Sequence, residues 1–544
     1  MLRVVAGISV VTLILAASAM AQDLSNVVLP SVDEVYEALN EGEITYDQYV
    51  VLLELIESGI TPQNRFLVDE IPNLADFSSF PDSTTTVLES EQLSPFRQTS
   101  RGATLHRQVN YQYYTTLADS ARDRYRSTVT YDLNSRWSAN LRIIKELSGR
   151  ERFTSRAVSY SSDSGFVRSL QFGSFQTRFG LGSVVGYRGK ILHYSGRLDD
   201  ESFLFPDNGG FNGLNISLQA GQFQLGSLLS VSRDTAVGVI SAAQMVQHSA
   251  DGWQQSLIVG GSRITDRSST EAITDLKLAA NITRTYSIGT ATVEYCAQTG
   301  RMNEFGTLLV EGVHHSEQFD LRYAVWHYGD RFVDVTSGSK AAAISHTTVL
   351  PDIEFSYTGK RAGQTGLLTK SITPLSRSLK LSAEMLGAAR NQDSFLVQVR
   401  PGIEWAPDRN WTLILDYLHT VKSRIEDSLR TEPLDRRIRL ESAYRTSHTS
   451  LRAAVSHTSS ASRGDYLTLF ASAKHAAKSG SLYEVWSNLG RLVDGSIDYW
   501  YGYVRTVQPL LDQLDLSAKL SHRCDYSNAQ VHETAVSLEL IADL

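Results

Sequence analysis

Cysteine is almost missing from this chain. There are two in 544 residues, Cys296 and Cys524, far apart in sequence. That excludes a disulfide framework and leaves open only a single long-range bridge. Long apolar runs are missing as well. Beyond the N-terminus no segment reaches eighteen uncharged apolar residues, so a helical membrane protein is excluded. From residue 105 onward there are no helix-period runs between the apolar segments, which excludes a parallel α/β architecture. No Gly-x-Ser-x-Gly elbow marks a serine nucleophile. Between residues 22 and 100 there is no lysine, and 15 acidic residues face two arginines, a net of −13. Such a segment is unsuited to gripping phosphates, so no nucleic-acid partner is expected.

What is there begins with MLRVVAGISVVTLILAASAMA, residues 1–21. One basic residue, an apolar run and the small-x-small sequence Ala19-Met20-Ala21 predict a cleaved secretory signal. An acidic head follows over 22–75. Its apolar residues recur at helical spacing, Val35, Ala38 and Leu39, then Tyr46, Tyr49, Val50, Leu53 and Ile56. Asp33 and Thr45 are candidate N-caps, and Gly42 and Gly59 break the helices. Residues 76–104 are rich in Ser, Thr, Asp and Pro and are expected to be a linker or a plug segment.

From 105 to 544 the pattern has a period of two. Tyr125, Val129, Tyr131 and Leu133 alternate with Arg124, Arg126, Thr128, Thr130 and Asp132, and the chain resumes at Trp137 after Asn134-Ser135-Arg136. That reads as a hairpin with a tight turn. The pattern returns through Leu276–Ile282, Leu321–Val325, Leu413–Tyr417 and Leu514–Leu520, and runs on to Leu544. The segments are about nine to twelve residues long, the length of a tilted membrane strand rather than of an average soluble one. The expected fold is mainly β: a large antiparallel transmembrane β-barrel of about 20–26 strands with a small helical N-terminal head. Closure leaves no unpaired strand edge. The 24 Tyr and 7 Trp fit interfacial girdles, with Trp137, Trp326, Trp411 and Trp500 near segment ends. The terminal alternation resembles the last strand of bacterial outer-membrane barrels, although it ends on Leu and not on an aromatic residue. Outer-membrane lipid is the expected surrounding, with the head in the periplasm and a periplasmic protein as its possible partner.

One stretch invites another reading. FGSFQTRFGLGSVVGYRGK, residues 172–190, holds five glycines: Gly173, Gly180, Gly182, Gly186 and Gly189. The third glycine of a dinucleotide fingerprint comes one residue late here, and no amphipathic helix follows. Gly189-Lys190 lacks the earlier glycine and the following Ser or Thr of a Walker A loop. No cofactor is expected. The glycines are structural, in a kinked strand or inward-folded segment that narrows the lumen. Arg178, Arg188 and Lys190 need carboxylate or solvent partners, which the acidic head could supply.

Gly173, Phe175, Arg178, Phe179, Gly180, Gly182 and Lys190, with Gly59-Ile60, Leu67 and Ile71-Pro72 upstream, fall in an order similar to a known set. The chain resembles exported barrel proteins of Bacteroidetes and related bacteria, often labelled helix-hairpin-helix proteins. The resemblance covers roughly 30–75 and 165–195 and implies architecture more than activity.

Candidates for chemistry are few. His314 and His315 are adjacent, so on a strand they point to opposite faces. His522, Cys524 and His532 lie close in sequence, but a metal there needs a fourth ligand and a bent loop. No catalytic or metal residues are assigned. The sequence predicts a non-enzymatic channel or passage for a solute or polymer. The alternatives are a non-conducting anchor or scaffold that recruits a periplasmic partner, and a membrane-embedded hydrolase.

Overall fold

The computed structural model describes the chain from residue 104 to 543, apart from residues 187–210, 338–361 and several shorter inter-strand stretches. The signal, the acidic head and nearly all of 76–104 lie outside the described residues.

Among the described residues, 24 strands form one sheet in which each strand is antiparallel to the next in sequence. The first strand, Thr104–Thr116, pairs with the last, Val531–Asp543, setting Gln108 opposite Asp543 and Thr116 opposite Ala535. That pairing closes the sheet into a barrel and removes both edges. A small hairpin, Arg424–Glu426 with Leu429–Thr431, stands apart from the ring between two neighbouring strands, Trp411–Lys422 and Leu434–Arg445. Strand lengths run from 8 residues in Asp320–His327 to 15 in Ile497–Leu511.

The alternation in sequence becomes two faces. Leu257, Val259, Leu276, Leu278 and Ile282 are exposed on the outside, while Ser256, Ile258, Asp275, Lys277, Ala279 and Asn281 are buried on the inside. The C-terminal tail keeps the same register, with Val536, Leu538 and Leu540 outside and Ser537 inside. Leu520 is exposed and Ser517 is buried, as the period of two requires. So continuous an exposed apolar belt is the lipid-facing surface of a transmembrane barrel.

Short turns join the strands at the end of the barrel that carries its own termini, Thr104 and Asp543, and polar side chains fold several of them. Asn134 Oδ1 accepts the backbone N–H groups of Arg136 and Trp137, at 2.9 and 3.1 Å. Asp408 Oδ1 does the same for Asn410 and Trp411, at 2.7 and 2.9 Å. Side-chain oxygens of this kind substitute for a backbone turn, which is why Asn and Asp stand there. Trp137 and Trp411, both exposed, sit at this end beside Tyr160 and Tyr444, at ring distances of 5.0 and 4.9 Å. Trp326 does not join such a girdle. Its parity places it inside the barrel, 2% exposed, with its indole N–H donated to Gln364 Oε1 at 2.7 Å.

Candidate functional site

The connection that follows the strand Val167–Phe175 leaves from the end opposite the barrel's own termini, and its described part, residues 177–186, turns inward. Phe175 stacks on Phe211 with ring centroids 5.6 Å apart. Phe179, Val184 and Val185 are buried in one apolar cluster with Leu228, Ile240, Ile258 and Cys296 from the inner wall. The wall makes room through glycine. A Cβ added at Gly226 would lie 3.3 Å from the Phe179 ring, and one at Gly260 would lie 2.5 Å from Val184 Cγ1. These positions carry no side chain because the loop lies on them.

A buried carboxylate holds the loop. Glu294, on the strand Gly289–Gln298, has no solvent exposure. Its Oε2 accepts the Leu181 N–H at 2.6 Å and the Asn281 amide at 3.1 Å. Its Oε1 accepts the Ser183 N–H at 3.1 Å and the Ser183 hydroxyl at 2.5 Å. Two backbone N–H groups converging on one anion form a nest, the device by which Gly-rich loops hold phosphate. Here the anion is the protein's own Glu294. Gly180 and Gly182 adopt φ of +56° and +89°, which aims these N–H groups at the carboxylate. A Cβ at Gly180 would collide with Glu294 Oε2.

A second inward segment locks onto the first. It follows the strand Asp320–His327 and also leaves from the end opposite the termini. The Gly186 N–H donates to the Thr336 carbonyl at 2.9 Å, and the Thr336 hydroxyl donates back to the Val184 carbonyl at 2.6 Å. The Ser337 hydroxyl donates to the Gly182 carbonyl at 3.0 Å. Tyr328 and Phe332 pack with Leu181, Trp326 and Leu309 in a second apolar cluster. Lys277 sits 3.2 Å from Asp275 and 4.5 Å from the centre of the Phe332 ring, so a buried cation is matched by a carboxylate and an aromatic face.

Four of the five glycines of the opening stretch are therefore placed. Gly173 lies within the strand, two residues before its end at Phe175, where a Cβ would meet the Arg156 carbonyl. Gly180 and Gly182 form the nest, and Gly186 joins the two segments. Gly189, Arg188 and Lys190 lie outside the described residues. Arg178 pairs at 3.8 Å with Glu311 of the inner wall and donates to the Gly180 carbonyl at 3.3 Å. Its carboxylate partner is thus on the barrel.

Away from the loops the inner wall is charged. Arg400 meets Asp416 at 3.3 Å. Glu441 takes Arg452 at 2.5 Å and Arg439 at 3.3 Å. Glu484 accepts the Tyr503 hydroxyl at 2.7 Å, with Lys474 at 3.3 Å and Arg505 at 3.9 Å, and Arg505 reaches on to Glu539 at 3.6 Å. The sequence shows these groups only as the polar half of each strand. Their pairing depends on which strands are neighbours.

On the outer face, His522, Cys524 and His532 come together without a bent loop. Strand pairing sets Cys524 opposite His532 and His522 opposite Thr534. Cys524 and Cys296 are both free thiols. His314 stacks on Phe319, and His315 pairs with Asp320.

No protein-family model and no curated protein matches the chain. Among solved structures, the P pilus usher (PapC) translocation pore aligns at TM-score 0.43 and 7% identity, over 81% of this chain and 99% of that one. The siderophore receptor PirA from Pseudomonas aeruginosa aligns at 0.45 and 10%, over 82% of this chain and 81% of that one. OccK5 (OpdH) of the same organism aligns at 0.32 and 8%, over 81% and 98%. At these scores the likeness carries no argument, and the assignment as a large antiparallel β-barrel stands on the closed strand pairing of this chain.

Proposed function

We propose that this protein is an outer-membrane passage for a solute or polymer, not an enzyme, and that the inward loops narrow its lumen. The observation that carries the reading is the loop at 177–186, held inside a closed ring by the buried Glu294 carboxylate. The ring supplies the need for such a device. With strands about 4.8 Å apart and tilted about 40°, a circular barrel of this strand number is about 48 Å across at the backbone. Side chains alone do not fill that width, so the bore depends on what folds into it. The charged inner wall gives a passing solute water and polar groups to contact.

In this orientation the short-turn end and the termini face the periplasm, and the long connections face outward, as is usual for outer-membrane barrels. Residues 22–75 then stand in the periplasm, where an acidic head suits a protein partner with a basic surface. The motifs at 59–72 and 173–190 support kinship with the exported barrel proteins of Bacteroidetes. The test is conductance of the purified full-length protein in planar lipid bilayers. Discrete, reproducible current steps are expected. Membranes that take up folded protein and stay silent would favour a non-conducting anchor instead.

A further inference from the structure

The outward face of the barrel is apolar through Leu520, Val504 and Val536 and changes character two residues further along. His522 Nε2 lies 3.0 Å from Cys524 Sγ, and Cys524 Sγ lies 3.2 Å from His532 Nδ1. The three ligand atoms fall within 4.8 Å of one another. Cys524 is buried at 4% exposure, whereas His532 is open to the outside. The spacing follows from the register. Positions 522 and 524 share a face of one strand, and His532 is the cross-strand partner of Cys524.

A fourth residue orients the set. The His522 Nδ1 lies 2.7 Å from the Thr534 hydroxyl, its own cross-strand partner. In the tautomer that donates its Nδ1 proton to this hydroxyl, the Nε2 lone pair faces Cys524. Metal-binding imidazoles are fixed in this way through their second nitrogen. The Trp500 ring lies over Gly502, the cross-strand partner of His522, with its centre 5.3 Å from that of the His522 ring, and its indole N–H is donated to Ser487 at 3.0 Å. None of this serves the lumen, which lies on the other face of the same strands.

We propose that His522, Cys524 and His532 form a site for one borderline transition-metal ion of the zinc(II) class. One thiolate and two imidazoles are a donor set for such an ion and not for magnesium or calcium, which take oxygen. Three protein ligands leave a fourth position open beside the exposed His532.

The probe is cobalt(II), added to the full chain folded in detergent, with folding checked by the gel shift on boiling. One equivalent should bind with a thiolate-to-cobalt charge-transfer band, and zinc(II) should displace it. Cys524→Ser should abolish the band, and Cys296→Ser should leave it unchanged. His532→Ala, at an exposed position where folding is least at risk, should weaken binding at least tenfold. Thr534→Val should weaken it about tenfold through loss of the orienting hydrogen bond. Absence of the band in folded wild-type protein overturns the site. So does a band that persists in Cys524→Ser, or cobalt binding equal in wild type and His532→Ala.

Discussion

The Glu294 carboxylate accepts the backbone N–H of Leu181 at 2.6 Å, across 113 positions of sequence. It takes three more hydrogen bonds with no solvent exposure of its own. Each donor orphaned by its loss costs about 1–3 kcal/mol, and hydrogen bonds to a charged group sit at the upper end of ordinary strengths. Glu294→Ala should therefore release the loop and lower the temperature at which the folded gel band is lost. Glu294→Gln should fall between, because it keeps one acceptor but turns an amide N–H₂ toward groups that are themselves donors. Equal thermal behaviour of all three proteins would mean that the carboxylate does not hold the loop.

Gly180 should be intolerant of substitution for two reasons that add. Its φ of +56° is unfavourable for a β-branched residue, and its Cβ position is taken by Glu294. Gly180→Val should impair assembly or free the loop, and Gly387→Ala, where a Cβ meets nothing within 4 Å, should not. Limited proteolysis of detergent-folded protein reads the difference. New cleavage between residues 177 and 210 is expected in the first variant alone.

The wall glycines make a complementary test from the other side of the contact. Gly260→Leu places a side chain where Val184 now lies. The strand itself can carry leucine, so folding should persist while the loop is displaced. Accessibility of a cysteine placed at Ser183 to a water-soluble maleimide should rise in this background. No change in labelling would contradict the packing.

Sidedness can be checked at two neighbouring positions. Val293 is exposed on the lipid face, and Thr292 points inward opposite Glu311. Val293→Arg should cost about 2–4 kcal/mol if it lies near the bilayer midplane. Thr292→Arg faces the polar lumen, where it would share the Glu311 carboxylate with Arg178, and should still cost much less than a cation in lipid. Refolding yield into lipid vesicles separates them, and equal yields would break the register. Ser517 is a poorer inward control than its parity implies, because Arg505 Nε already donates to its hydroxyl at 3.0 Å and a second cation there would be repelled.

Glu484 balances Lys474 and Arg505 on the inner wall. Glu484→Gln leaves those two cations without it, so a conducting pore should shift its reversal potential toward anion preference. An unchanged potential under a salt gradient would place the charged wall outside the path of ions.

The barrel was legible because a period of two needs no partner to be seen. Each strand announces its own outer face, and Leu514–Leu520 and the tail lie in the register read from sequence. What the strands do to one another was less legible. Trp326 reads as a girdle residue because it lies near the end of a strand, yet it shares the parity of the buried Ala324 and faces inward. Glu294 carries no local signal and is one of 59 acidic residues; only the folded ring brings it to the glycine loop. The sequence of that loop excluded a nucleotide but could not supply the anion its N–H groups hold. His522, Cys524 and His532 were visible as neighbours, but their convergence depends on the Cys524–His532 register.

The central claim is that the loop held by Glu294 narrows a conducting barrel. Single-channel recording of wild type and Glu294→Ala, side by side in the same lipid, tests it most directly. The account predicts discrete steps in wild type and larger or noisier steps in the variant, with bigger neutral polymers admitted once the loop is released. Identical conductance and polymer cut-off in two folded proteins, or no conductance in either, would contradict it.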